Sequence, residues 1–144
     1  MNVGPYINFV DNTREVVEYY ADRLNAKVLG VMTFGDLGSE SGQSSASDHL
    51  VAHAHIKVGD SSIFFSDTPA DFMTLTPGNN ISLMLQSADR DELQAMWDGL
   101  AADGEIIMPI GPVPWSQLYG QLVDKFGINW QLDYLDPEWM ASQS

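Results

Sequence analysis

The second half of this 144-residue chain repeats the grammar of the first. Near the start, Tyr6-Ile-Asn-Phe-Val10 runs into Asn12-Thr-Arg-Glu15 and the aromatic pair Tyr19-Tyr20. Further on, Ile81-Ser-Leu-Met-Leu85 runs into Asp89-Arg-Asp-Glu92 and then Met96-Trp97. Each copy reads as a strand, a helix start and an amphipathic helix. A unit this small has one apolar face and must bury it against a partner layer. The repeat therefore predicts two similar modules and excludes a fold without internal symmetry.

Within the first copy, residues 5–10 read as a strand and Asn12-x-x-Glu15 has capping-box spacing. Val16, Val17, Tyr20 and Leu24 recur at helical period, and Asn25 suits a left-handed stop. A strand is expected over 27–34, then a mobile loop from Gly35 to Asp48, whose Ser-rich part 39–47 reads as flexible linker. Residues 51–58 and 61–66 alternate as a hairpin about Gly59-Asp60. A connector at 68–79 leads to a strand over 80–86 and a helix opened by Asp89-x-x-Glu92. That helix is lined by Leu93, Met96, Trp97 and Leu100 and ends at Gly104. A strand over 105–110, the Pro-rich loop Gly111-Pro-Val-Pro-Trp115, and strands near 117–123 and 128–134 complete the second copy. The order is βαβββ twice, which predicts an α+β fold whose eight strands form a mixed or antiparallel sheet with helices on its convex side. Residues 1–144 are expected to form one domain, with modules at about 1–67 and 80–135. The tail 136–144 presents Trp139 and Met140 as an apolar pair.

Charge narrows the partners. Twenty acidic against six basic side chains give a net charge of −14. Phosphate-binding surfaces need clustered Lys and Arg, and here these are scattered singly, so nucleic acid and anionic membranes are not expected partners. With no cysteine, disulfides, thiolate catalysis and Cys-based zinc sites are excluded. Neither a signal peptide nor an apolar run long enough to cross a bilayer is read in the chain, and a cytoplasmic location is the expectation.

Some residues carry chemistry. His53 and His55 lie two apart in a strand and so share a face, while Ala52, Ala54, Ile56 and Val58 take the helix-packing face. Both readings stay open: a pair lining a pocket, or two half-buried imidazoles bonded to neighbours. On the last strand, alternation places Asn129, Gln131 and Asp133 together and turns Trp130 and Leu132 to the core. That polar triplet suits either a polar ligand or solvent. Trp115 and Tyr119 bracket a stiffened loop and could wall an apolar ligand or cap an open end. Phe64, Ser82 and Met84 complete the set expected at a ligand. Ser66 and Ser82 have no base placed by spacing, so a nucleophilic serine is not expected.

These residues together resemble the vicinal oxygen chelate superfamily of glyoxalase I, bleomycin-resistance proteins and extradiol dioxygenases, and within it the PhnB-like branch. The resemblance rests on Pro5-Tyr6 with Phe9, Glu18-Tyr-Tyr20, and His53 before Ile56-Lys-Val-Gly59. It continues through Ser66-Asp67, Met108-Pro109, Trp115 with Tyr119-Gly120, and Asp124-Lys-Phe-Gly127 leading to Trp130. It implies two modules curling into a cup around a small organic ligand, and a homodimer. In metal-using branches the ligands are His and Glu from the first and last strands of each half. Those positions fall here near Pro5–Ile7, Phe64, Ser82 and Gln131, none of them a carboxylate or imidazole. No metal and no cofactor are therefore expected, and the leading expectation is a metal-independent binding protein or enzyme. The alternatives are a metal-dependent lyase, isomerase or dioxygenase using His53 or His55, and a dimeric interaction protein that shares only the fold. Some PhnB-like proteins carry a demethylubiquinone methyltransferase label, but no Gly-rich nucleotide loop follows a strand in this chain.

Overall fold

The structure is a computed structural model that describes residues 1–38 and 47–142. It divides into two compact units, Met1–Thr76 and Pro77–Ser144.

The first unit contains β1 (Tyr6–Phe9), α1 (Thr13–Arg23), β2 (Lys27–Thr33), a short α2 (Phe34–Gly38), β3 (Val51–Val58) and β4 (Ser61–Asp67). Its four strands form one mixed sheet in the order β1-β4-β3-β2, with β1 parallel to β4 and the other pairs antiparallel. One face of the sheet is covered by α1. Val16, Val17, Tyr20 and Leu24 are at most 2% exposed and meet the buried Ala54, Ile56, Ile63 and Phe65. Burying each such side chain contributes about 1.5–3 kcal/mol. Asn25 ends the helix at φ +50°, and Gly59 turns the β3–β4 hairpin at φ +55°.

The second unit repeats the plan with β5 (Leu83–Ser87), α3 (Arg90–Ala101), β6 (Glu105–Val113), β7 (Ser116–Val123), β8 (Asn129–Tyr134) and a terminal α4 (Pro137–Ser142). The strand order is β5-β8-β7-β6, again with the first pair parallel. Leu93, Trp97 and Leu100 of α3 bury one sheet face together with Leu122, Trp130 and Leu132. Gly120 is required here, because a Cβ would lie 2.8 Å from the Trp97 indole and 2.9 Å from the Ile110 backbone. The α+β class and the doubled βαβββ order expected from sequence are both present, the eight strands lying in two four-stranded sheets.

Several local expectations are corrected. Asn12 makes no side-chain cap on α1. Asp67, buried at the end of β4, takes that role by accepting from Thr13 N at 2.9 Å and also from Val51 N at 2.8 Å. In the second unit the expected cap does form: Asp89 accepts from Glu92 N at 3.0 Å. Glu92 closes that motif through Ser87, whose hydroxyl donates to it and accepts from Asp89 N.

Residues 35–38, expected in a loop, belong to α2. The cause is a reciprocal pair, Thr33 N to Asp36 Oδ2 at 2.9 Å and Asp36 N to Thr33 Oγ1 at 3.1 Å. This is capping-box chemistry with Asp in place of Glu. The linker reading of the serine-rich stretch lies, for 39–46, outside the described residues.

Strand β5 starts at Leu83, not residue 80, and α3 stops at Ala101, short of Gly104. Strand β6 continues through the supposed Pro-rich loop to Val113. Proline is tolerated there because β6 is an edge strand with an irregular register against β7, so missing N–H donors leave few ladder bonds unmade. The tail forms α4 with Trp139 half-buried, while the Met140 side chain lies outside the described residues. Among the described residues, no helix is long and apolar enough to cross a membrane.

Two predictions follow from the capping carboxylates. Asp67→Ala strands two buried N–H donors, at about 1–3 kcal/mol each, so a loss of about 2–4 kcal/mol is expected in urea unfolding. A change under about 0.5 kcal/mol would show that water replaces the carboxylate freely.

The Asp36 carboxyl is held below its ordinary value of 3.8 chiefly by the Thr33 backbone N–H and then by the Thr33 hydroxyl. A lowered folded value stabilises the turn above pH 3.8 and loses that contribution as pH falls through the lowered value. NMR titration should find the Asp36 midpoint below 3.8, rising toward it in Thr33→Ala.

Candidate functional site

In each unit the helix covers one sheet face, and period-two alternation sends a second set of side chains to the other. In the first unit that set is aromatic. Register places Tyr6 beside Phe64, and Phe64 beside His55. The His55 and Phe64 rings stack at 4.4 Å, and Tyr6 lies near parallel to Phe64 at 6.2 Å. His53, one pleat along β3, reaches Phe64 at 5.5 Å and Tyr6 at 5.9 Å.

Polar contacts fix the imidazoles. His53 Nδ1 shares a 3.3 Å hydrogen bond with the Tyr6 hydroxyl, and His55 Nε2 shares one of 2.8 Å with Ser62 Oγ. Both imidazoles and Phe64 are half-buried and Tyr6 is exposed. The result is a π surface across three strands with ring nitrogens at its margin.

The equivalent face of the second unit is built from amides. Gln121 pairs with Gln131, and Gln131 with Met84. Tyr119, buried to 4% exposure, donates its hydroxyl proton to Gln131 Oε1 and accepts from Gln121 Nε2 at 2.9 Å. At the next pleat Gln86 Nε2 donates to Asp133 Oδ2 at 3.1 Å. Trp115 stands in the β6–β7 turn, 59% exposed, and meets Tyr119 edge-on at 5.3 Å. Beyond Gln121 the same unit holds a cavity of about 400 Å³, with Asn79, Ser82, Glu105, Ile107, Gln121 and Asn129 on its walls.

The expected residues thus fall into two groups. The first unit brings His53, His55 and Phe64 together. The second joins Trp115, Tyr119, Gln131 and Met84 on one surface and sets Ser82 in the cavity wall. Tyr119 lies in strand β7, where the strand expected over 117–123 puts it, and is buried.

Sequence reasoning missed Tyr6 and Gln121 as site residues. Alternation from His55 through Phe64 would have given the first, and Gln121 lies two residues from Tyr119. Glu105 and Asn79 carried no local signal.

A divalent ion requires charged or imidazole donors to offset its lost hydration. The positions that the resemblance assigns to metal ligands fall near Pro5–Ile7 and at Phe64, Ser82 and Gln131, and none is a carboxylate or imidazole. Among the described residues, no three His, Asp or Glu side chains gather closely enough to hold a metal ion. This donor set does not fit one.

Residues 1–133 match the family described as 3-demethylubiquinone-9 3-methyltransferase. Protein YjdN of Escherichia coli is 30% identical over 142 residues, covering 92% of this chain and 95% of its own. The protein PA1353 of Pseudomonas aeruginosa superposes with a TM-score of 0.82 at 25% identity, covering 94% of this chain and 98% of that one. A PhnB protein of Bacillus cereus, named a putative 3-demethylubiquinone-9 3-methyltransferase, gives 0.75 at 21% identity, with 94% and 100% covered.

The fosfomycin resistance protein FosX of Mesorhizobium loti shares the fold alone, with a TM-score of 0.62 at 10% identity over 99% of this chain and 97% of that one. The chain belongs to the 3-demethylubiquinone-9 3-methyltransferase family, and it shares its fold with the PhnB protein of Bacillus cereus.

The Tyr119 chain makes a direct prediction. Tyr119→Phe removes one donor and one acceptor between two glutamines, and about 1 kcal/mol of stability is expected to go with them. Chemical denaturation that finds no loss would show that the Gln121 and Gln131 amides pair without the phenol.

Proposed function

We propose that the chain is a small-molecule-binding protein of the PhnB-like glyoxalase fold that works without a metal ion. Its ligand is a small, planar, partly aromatic organic molecule. The observation that carries this reading is the row Tyr6–Phe64–His55 with His53 beside it. Four rings held on a sheet face with no helix over them offer stacking area at little entropic cost, about 0.5–1.5 kcal/mol per ring pair beyond burial. Ring nitrogens and the Tyr6 hydroxyl at the margin suit a polar substituent, such as a carboxylate, on that ligand.

Methyl transfer is not supported by the residues. The strand-to-helix turns, at residues 10–12 and 88–89, contain no glycine and so offer no cradle for a nucleotide cofactor. The reading includes a homodimer in the cytoplasm, on the strength of the resemblance. Exposed apolar residues on edge strands, Val28 and Leu29 on β2 and Ile106 and Ile107 on β6, support the self-association. Light scattering at the mass of one chain would remove that part.

Thermal-shift screening against aromatic carboxylic acids and α-oxoaldehyde–thiol adducts tests the main claim. A hit should raise the melting temperature in proportion to the logarithm of its concentration. Phe64→Ala should weaken binding by about tenfold or more, the equivalent of one lost stacking partner. A library that moves the melting temperature nowhere, or binding that survives Phe64→Ala unchanged, rejects the reading.

A further inference from the structure

The cavity of the second unit has a chemistry of its own. Its walls carry one carboxylate, Glu105, three amides, Asn79, Gln121 and Asn129, and the hydroxyl of Ser82, with Ile107, Leu122, Val123 and Trp130 as the apolar part. No Lys, Arg or His is among the lining residues. Lys125, near in sequence to the lining Gly127, places its Nζ over the Phe126 ring at 5.1 Å and is not part of the wall.

Gln121 commits one amide N–H to Tyr119, which fixes its orientation and leaves its carbonyl oxygen and second N–H facing a ligand. The cavity offers the Glu105 carboxylate and amide carbonyls as acceptors, has one formal negative charge, and belongs to a chain of net charge −14.

From this we infer that the second unit binds an organic cation, a primary amine or diamine, in the cavity lined by Glu105, Gln121 and Asn129. An ammonium group has three donors and no acceptor. It matches a carboxylate and amide carbonyls, whereas an anion entering the same walls meets the Glu105 carboxylate and no cationic side chain. At about 400 Å³ the cavity lies within the range of small-molecule sites. The surrounding negative field steers cations toward it. The inference goes beyond the binding function proposed above: it concerns a second site, the amide-lined cavity, and not the imidazole face.

The test is calorimetric titration of the whole chain with 1,5-diaminopentane, and with glutarate as its dicarboxylate counterpart of similar length. The diamine should bind and glutarate should not. Glu105→Gln keeps the size of the side chain at an exposed position and should weaken the diamine about five- to tenfold.

Asp22→Asn removes the same charge from an exposed site of the first unit, where Asp22 side-chain exposure is 80%, and should leave the affinity within about twofold. Equal losses in the two variants would mean that the amine responds to overall charge, and would overturn the proposal. Binding of glutarate as tight as that of the diamine would overturn it too. Aromatic-acid binding lost in Phe64→Ala but kept in Glu105→Gln bears only on the imidazole face, so the two readings fail separately.

Discussion

A buried carboxylate saturated by N–H donors anchors each unit. In the first, Asp67 ends β4 and holds both the first residue of α1 and the first residue of β3. In the second, Asp124 follows β7 and accepts from Phe126 N, Ile128 N and the Trp130 indole at 2.8–3.0 Å. Such groups are strong because charge-assisted bonds in a shielded place exceed neutral ones. They also admit little variation, since a missing partner leaves a buried donor unmet. Fixing the helix start and the hairpin fixes which face of each sheet is covered. The opposite faces, with their rings and amides, are positioned as a consequence.

The two units reach the same topology by different chemistry. In the first, the α1 cap comes from a residue 54 positions away, whereas in the second Asp89 caps α3 locally. A long-range cap ties the helix to the sheet, while a local one leaves the docking of α3 to Leu93, Trp97 and Leu100. The indole of Trp97 lies so close to β7 that position 120 must be glycine.

Much of this was legible in the chain. The repeat gave the βαβββ order, and alternation along 128–134 separated Trp130 and Leu132 from Asn129 and Gln131 correctly. The hairpin at Gly59 and the stop at Asn25 were readable because φ above zero restricts residue choice so strongly. What was not legible depended on partners distant in sequence. Asn12 looked like a cap, but a carboxylate from β4 took the site. Pro112 looked like a breaker, but an edge strand tolerated it. For the candidate site, the shared face of His53 and His55 was visible in their spacing. Their stacking on Phe64 required the β3–β4 register, and the place of Glu105 required the β6–β7 pairing.

The alternation along β3 has a consequence for how such a protein can change. Ala54 and Ile56 are wholly enclosed, and altering either disturbs the interior. Their neighbours His53 and His55 are half-buried on the opposite face, outside that interior. On the proposed reading, stability and selectivity are written on alternate letters of the same strand. Under that reading, exchanges at positions 53 and 55 alter recognition while the enclosed positions stay untouched.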